Sequence, residues 1–193
     1  MVTAEYIWEA FTAFMQGKAE SDWKTTLAEI DVALGGVQVI NFDEVAKHYC
    51  KGKSNVATPA TADFLYPQEE TFFIELKSLD DLYVKDAKGD VQILIKKLKE
   101  YLTIQDGRFV KKVRGSLTLF VEIISDPFTA HFYFVFAPHN HRQARNTLSA
   151  LQADQIRFQE TMRKQYHHLI KVEIITGERF KRILQPELSR NKL

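Results

Sequence analysis

The sequence predicts an α/β fold, a three-layer α-β-α sandwich around a mixed central sheet. Three observations carry that expectation. Short β-branched and aromatic runs alternate with stripes of helical period, which sets helices against a sheet. Some of the runs lie close enough together to be hairpins, so the sheet has antiparallel pairs as well as crossovers. Apolar residues make up 45% of the 193, and 14 Phe are among them, enough for one sizeable core. The chain therefore reads as a single domain over 1–193. Its core spans about 22–138, with a helix at 4–16 and a helix and strand within 141–184 as elaborations.

Taken in order, Tyr6, Ile7, Ala10, Phe11, Phe14 and Met15 form a helical stripe that Gly17 stops. Ser21 or Asp22 is the cap of a second helix, in which Trp23, Leu27, Ile30 and Leu34 share a face and Gly35-Gly36 makes the end. Val37 to Phe42 reads as a short strand, Asp43 as the cap of a helix through Cys50, and 51–61 as loop. Asp63 to Lys77 is a hairpin turning at Pro67 to Glu70. After a polar connection at 79–88, Asp90 caps a helix whose Val91, Leu94, Ile95, Leu98 and Leu102 keep one stripe. Ser116 to Ser125 and Ala130 to Pro138 read as two strands joined at Asp126-Pro127. A long helix is expected over 141–167, a strand near Leu169 to Thr176, and a last basic helix over Glu178 to Leu184 that Pro186 stops.

Composition excludes several classes. Cys50 is the one cysteine, so no internal disulfide forms, and a reducing, cytoplasmic home is expected. No Cys/His spacing reads as a zinc site. Glu5 and Glu9 argue against a secretory signal, and no apolar run approaches the roughly 18 residues of a membrane span. The net charge of +1 hides an uneven spread. Residues 1–50 hold three lysines against eight acids, whereas 140–193 hold eleven Lys/Arg against five acids. That polarity suits a nucleic-acid face at one end or ordinary solvated helix faces.

The informative stretch is the hairpin. Phe72, Ile74 and Leu76 make one apolar face of its second strand, while Glu75 and Lys77 share the other with Phe73. Charges in so apolar a strand need pairing or a task. Register is decisive. A four-residue loop at 67–70 puts Asp63 opposite Ile74. A three-residue loop at 68–70 or a five-residue loop at 67–71 puts it opposite Glu75, on the same face. One of the odd loops, or a bulge between Asp63 and Glu75, is therefore expected.

An acid on one strand, a turn, Glu-x-Lys on the next strand and then a capped helix resembles the PD-(D/E)xK nuclease superfamily, the restriction-endonuclease-like fold. Asp63, Glu75 and Lys77 match its motif. Its proline is not adjacent here, since Pro59 lies four residues before Asp63. The resemblance covers about residues 29–102. It implies a metal-dependent nuclease, with Mg²⁺ (or Mn²⁺) on Asp63 and Glu75 and with Lys77 as the catalytic lysine. Glu44 would be a third acid, with Glu29 as the alternative, and Gln92 would be a further catalytic side chain on the next helix. Lys96 and Lys99 on that helix, and Arg142 and Arg145 further on, would meet phosphates. The chemistry accounts for these residue types. Hard carboxylate oxygens suit Mg²⁺, and a lysine beside them can steady the attacking water or the developing charge.

The expected substrate is DNA, with RNA as the other possibility, no membrane partner, and a homodimer as a route to cutting both strands. The alternative reading is a non-catalytic nucleic-acid-binding or protein-interaction module on the same fold. A third is an unrelated α/β domain in which Glu75 and Lys77 lie on a solvated sheet face. His139-Asn140-His141 and His167-His168 read as surface polar residues, and Phe132, Tyr133, Phe134 and Phe136 as core rather than a base-stacking platform.

Overall fold

The architecture grows from β4, Glu70–Ser78, whose alternating side chains serve both faces of the sheet. In the computed structural model, which describes residues 2–27, 36–51, 53, 57–137 and 142–190, six strands lie in the order β1-β2-β3-β4-β5-β6. β1 (Lys24–Thr26), β2 (Gln38–Asn41), β3 (Phe64–Tyr66) and β4 form an antiparallel meander. β5 (Thr129–Ala137) and β6 (Leu169–Thr176) then add in parallel. Parallel steps need crossovers, and helices supply both.

The helices are α1 (Ala4–Phe14), α2 (Glu20–Trp23), α3 (Phe42–Cys50), α4 (Val91–Tyr101), α5 (Arg108–Ile123), α6 (Arg142–Ala150), α7 (Gln152–Gln165) and α8 (Gly177–Arg190). Residues 79–86 form a helical turn that passes into a π-type turn. Local chemistry sets several ends. Thr3 caps α1 through Tyr6 N–H, Asn41 caps α3 through Glu44 N–H, and Asp90 caps α4 through the N–H groups of Gln92 and Ile93. Gly17, at φ +88°, ends the first helical segment.

One face of the sheet carries Ile40, Leu65, Phe73, Phe132 and Phe134 under α1, α3, α4, α5 and α7. The other carries Val39, Tyr66, Ile74, Tyr133, Val135 and Ile175, with Phe180 and Leu184 of α8 among them. Helices thus cover both faces, the three-layer arrangement expected. Phe132, Tyr133, Phe134 and Phe136 are all core. Among the described residues no helix is long and apolar enough to cross a membrane.

Four expectations are corrected. Ser116–Ser125 is not a strand: Arg108–Ile123 is a helix that buries Phe109, Val110, Val113, Ser116, Leu117 and Phe120, a spacing of helical period. Its β-branched and aromatic content lost to the tertiary requirement for a crossover between β4 and β5, so no hairpin joins 116–138. Trp23 ends a short helix and Lys24–Thr26 pairs with β2 as a strand, while the expected positions Ile30, Leu34 and Gly35 lie outside the described residues. The helix over 141–167 is broken at Leu151, which turns inward between α6 and α7. Pro186 does not stop α8, whose helical backbone runs to Arg190 at the loss of one backbone donor.

The contact that places α5 is close. A Cβ on Gly115 would lie 2.1 Å from the Ala60 carbonyl oxygen. At the next residue, the buried Ser116 hydroxyl accepts a hydrogen bond from Ala62 N–H at 2.7 Å. We predict that Gly115→Ala lowers stability by about 2–3 kcal/mol although alanine is the better helix former by about 1 kcal/mol, because backbone must move to admit the methyl. The urea midpoint of unfolding measures it.

Candidate active site

Side-chain alternation along β4 sends Phe73, Glu75 and Lys77 to the sheet face under α5, while Phe72, Ile74 and Leu76 face the α8 side. The hairpin register is Phe64↔Ile74, Leu65↔Phe73 and Tyr66↔Phe72. The loop is therefore the five-residue 67–71, and the same register carried one step further sets Asp63 across from Glu75. Pairing between β3 and β4 stops at Phe64, and the Asp63 carboxylate takes over there: Oδ2 accepts from Leu76 N–H at 2.8 Å. The segment before it is anchored on both sides, by Ala62 N–H on Ser116 and by the buried Thr61 hydroxyl donating to Asp43 Oδ1 at 3.0 Å.

Asp63, Glu75 and Lys77 converge. Lys77 Nζ stands 2.5 Å from Glu75 Oε1 and 4.0 Å from Asp63 Oδ2. A fourth member comes from α5. Lys112 Nζ lies 3.0 Å from Glu75 Oε2 and 3.3 Å from Asp63 Oδ1, so one ammonium touches an oxygen of each carboxylate. The Glu75 side chain is 0% exposed, against 22% for Asp63, 15% for Lys77 and 12% for Lys112, which makes Asp63 the side from which solvent reaches the cluster. Among the described residues, the Glu75 oxygens meet these two ammonium groups and no further hydrogen-bond donor.

Burial, and then the neighbouring Asp63 charge, push the Glu75 carboxyl up to about 7, against the pull of Lys77 and Lys112. Burial alone would lower the Lys112 ammonium, but Glu75 and Asp63 outweigh it and hold its pKa above the usual lysine value. Lys112 is the residue that sequence reasoning missed. The signal was present: read as a helix, 108–123 puts Lys112 beside Phe109 and Ser116 on the inward stripe, where a lysine needs a partner.

The remaining expected site residues are not brought into the cluster. Glu44 is a third exposed and pairs with Lys47 on its own helix, because Asn41 rather than Asp43 caps α3 and turns Glu44 outward. Asp43 is instead the acid of α3 that faces inward, held by Thr61 and acting electrostatically on Lys112. Glu29 lies outside the described residues. Gln92 and Lys96 are exposed on α4, and it is α5 rather than α4 that faces Glu75. Lys99 pairs with Asp154 of α7 at 3.6 Å. Arg142 and Arg145 belong to the helical backbone of α6, and their side chains lie outside the described residues, as do His139 and His141. His168 stacks on Phe128.

The donor set suits a hard divalent cation, since two carboxylates converge with a lysine at their edge. It is a sparse set, because among the described residues no group of three or more His, Cys, Asp or Glu side chains comes together as a metal cage. Another polar cluster lies on the opposite sheet face. There Glu173 is bound by Arg179 at 2.8 Å and Lys171 at 2.9 Å, and the His131 ring joins Glu70 at 2.7 Å and the Tyr133 hydroxyl at 2.9 Å.

The Glu75 shift has a pH signature. Its folded pKa stands above the ordinary 4.5, so between pH 4.5 and about 7 the folded state holds a proton that the unfolded chain has released. Stability relative to Glu75→Gln therefore falls as pH rises through that window, by on the order of 3 kcal/mol. Urea unfolding of both proteins at the two ends of the window measures the difference, and parallel curves would refute the shift.

No family model, no curated protein and no solved structure matches the chain, so the reading of this site rests on its own geometry.

Proposed function

We propose that the protein is a divalent-metal-dependent nuclease that hydrolyses phosphodiester bonds of DNA, with Asp63 and Glu75 as the metal-holding carboxylates and Lys77 as the catalytic lysine. The observation that carries this reading is the hairpin register. The five-residue loop brings Asp63 across from Glu75 and leaves the Lys77 ammonium at the edge of both carboxylates. That arrangement is the one that the resemblance to PD-(D/E)xK nucleases implies, and a one-residue change in the loop would have destroyed it. The cluster also stands toward the carboxyl end of β4, in the parallel half of the sheet, where open α/β sheets place ligands.

The chemistry follows from the residues. Asp63 and Glu75 would hold a cation of the Mg²⁺ or Mn²⁺ class, which would supply charge neutralisation at the phosphate and an acidified water. Asp63 is fixed through Oδ2 by Leu76 N–H, and its other oxygen, Oδ1, accepts from Lys112 at 3.3 Å. Lys77 is held by Glu75 and by the Leu76 carbonyl at 3.1 Å, which leaves its ammonium placed to steady the attacking water or the charge that develops on the phosphate. Glu75 must ionise to bind metal, so it releases its proton on loading.

A second reading has one observation in its favour. Two lysines balance two carboxylates without any added cation, which suits a structural cluster in a non-catalytic nucleic-acid-binding or protein-interaction module.

Incubation of the purified protein with labelled DNA and labelled RNA, with Mg²⁺ or Mn²⁺ and with chelator, tests the assignment. We expect metal-dependent DNA cleavage whose metal requirement falls as pH rises through about 7, because Glu75 must lose its proton to take a cation. Asp63→Ala and Lys77→Ala should each lower it by roughly a hundredfold or more. Cleavage that survives both substitutions places the chemistry elsewhere. Salt-sensitive binding without cleavage selects the second reading.

A further inference from the structure

The motif accounts for Asp63, Glu75 and Lys77 but gives no role to Lys112, and Lys112 holds the central position of the cluster. Its ammonium bridges the carboxylates, 3.3 Å from Asp63 Oδ1 and 3.0 Å from Glu75 Oε2. A divalent cation held by the same two carboxylates would have to approach within about 2.0–2.1 Å of such oxygens. Ammonium and metal cannot share that place, by size and by charge. Lys77 creates no comparable conflict, since it contacts the other oxygen of Glu75 and stands 4.0 Å from Asp63, at the margin of the pair.

Lys112 also has somewhere to go. Its side chain reaches in from α5, and the half-buried Asp43 of α3 already acts on it electrostatically. Asp43 is held toward the site by the Thr61 hydroxyl through Oδ1, which leaves its other oxygen for an incoming ammonium. An ammonium that left the carboxylate pair for Asp43 would give up two carboxylate contacts for one, while the incoming cation neutralises the two it leaves.

We propose that Lys112 is an internal counter-ion that a divalent cation must displace toward Asp43, so that Lys112 sets the metal concentration at which the site loads. This rests on the nuclease reading only in taking Asp63 and Glu75 as metal ligands. Without metal, Lys112 holds the buried carboxylates together. When metal enters, its charge is no longer needed there.

Mn²⁺ binding, followed by calorimetry and by the loss of the free Mn²⁺ paramagnetic resonance signal, tests this on the intact chain with no substrate present. Lys112→Met should bind Mn²⁺ at least about tenfold more tightly than the wild type, and Asp43→Asn more weakly, because the displaced ammonium loses its destination. In chelator Lys112→Met should melt below the wild type, and saturating Mn²⁺ should raise its melting temperature by more than it raises that of the wild type. If the methionine variant does not fold, Lys112→Gln, one atom shorter, keeps hydrogen-bonding capacity without the charge, and the same tightening is expected. Equal or weaker Mn²⁺ affinity in a folded Lys112 variant overturns the displacement even if the wild type cleaves DNA. Tighter binding in a protein that never cleaves DNA upholds the displacement and removes the nuclease reading. Absence of Mn²⁺ binding in wild type and variants alike overturns both.

Discussion

The structure depends on a carboxylate that has no access to water. Glu75 lies in the central strand among Phe73, Leu65 and the aromatic side chains of the α5 layer, at 0% exposure. An isolated charge there would cost far more than the margin by which a domain of this size stays folded. Burial therefore forces either protonation or company, and the protein supplies both. The Glu75 carboxyl is pushed up toward neutrality, and two ammonium groups reach it from different elements. Each supporting feature follows from bringing those groups together. The five-residue hairpin loop sets Asp63 on the same face, and Leu76 N–H orients its carboxylate. Gly115 lets α5 settle against Ala60, at a depth where Lys112 can reach in.

The other charged cluster shows why depth matters. Glu173 is nearly as enclosed, yet its partners Lys171 and Arg179 are 45% and 62% exposed. Long cations at the surface shield a carboxylate at the rim of the sheet, and such an arrangement is explained by stability alone. Around Glu75 the lysines are themselves largely enclosed, so Glu75 and both ammonium groups are withdrawn from water together while Asp63 keeps the opening. Buried ionic groups of that kind are poor stabilisers compared with packed apolar side chains. A pair of carboxylates on a rigid strand with lysines at hand is the kind of arrangement that charge-handling sites use.

Division of labour between the two sheet faces makes this possible. The face toward α8 is closed by Tyr66, Ile74, Tyr133, Val135, Phe180 and Leu184 and carries a second, smaller core. The other face has an extensive aromatic packing, with Phe109 stacked on Phe134 at 4.0 Å and Phe73 on Phe132 at 5.7 Å. Those contacts hold α5 and β4 in fixed relation. A lysine on one and a glutamate on the other then meet without relying on their own attraction to bring the elements together.

The sequence by itself determined the α/β class, the strand carrying Phe72 to Lys77, the capped helix after Asp90 and the shared face of Glu75 and Lys77. Each of these rests on local periodicity or on a cap, which a short window of residues expresses. The loop was legible in part: a three- or five-residue loop or a bulge would each put Asp63 on the Glu75 side, and the pairing of β3 with β4 chose five. What only the tertiary structure decided is the role of residues 108–123. Their β-branched and aromatic content reads as a strand, but the parallel pairing of β4 with β5 demands a crossover, and that pairing joins segments far apart in sequence. With the helix unread, Lys112 had no face and no partner, and the positions on α4 stood in its place. The acid on α3 was decided in the same way. Asn41 took the cap, which rotated Glu44 outward and Asp43 inward, and a rotation of one residue about a helix axis shows only when the helix is packed against its sheet.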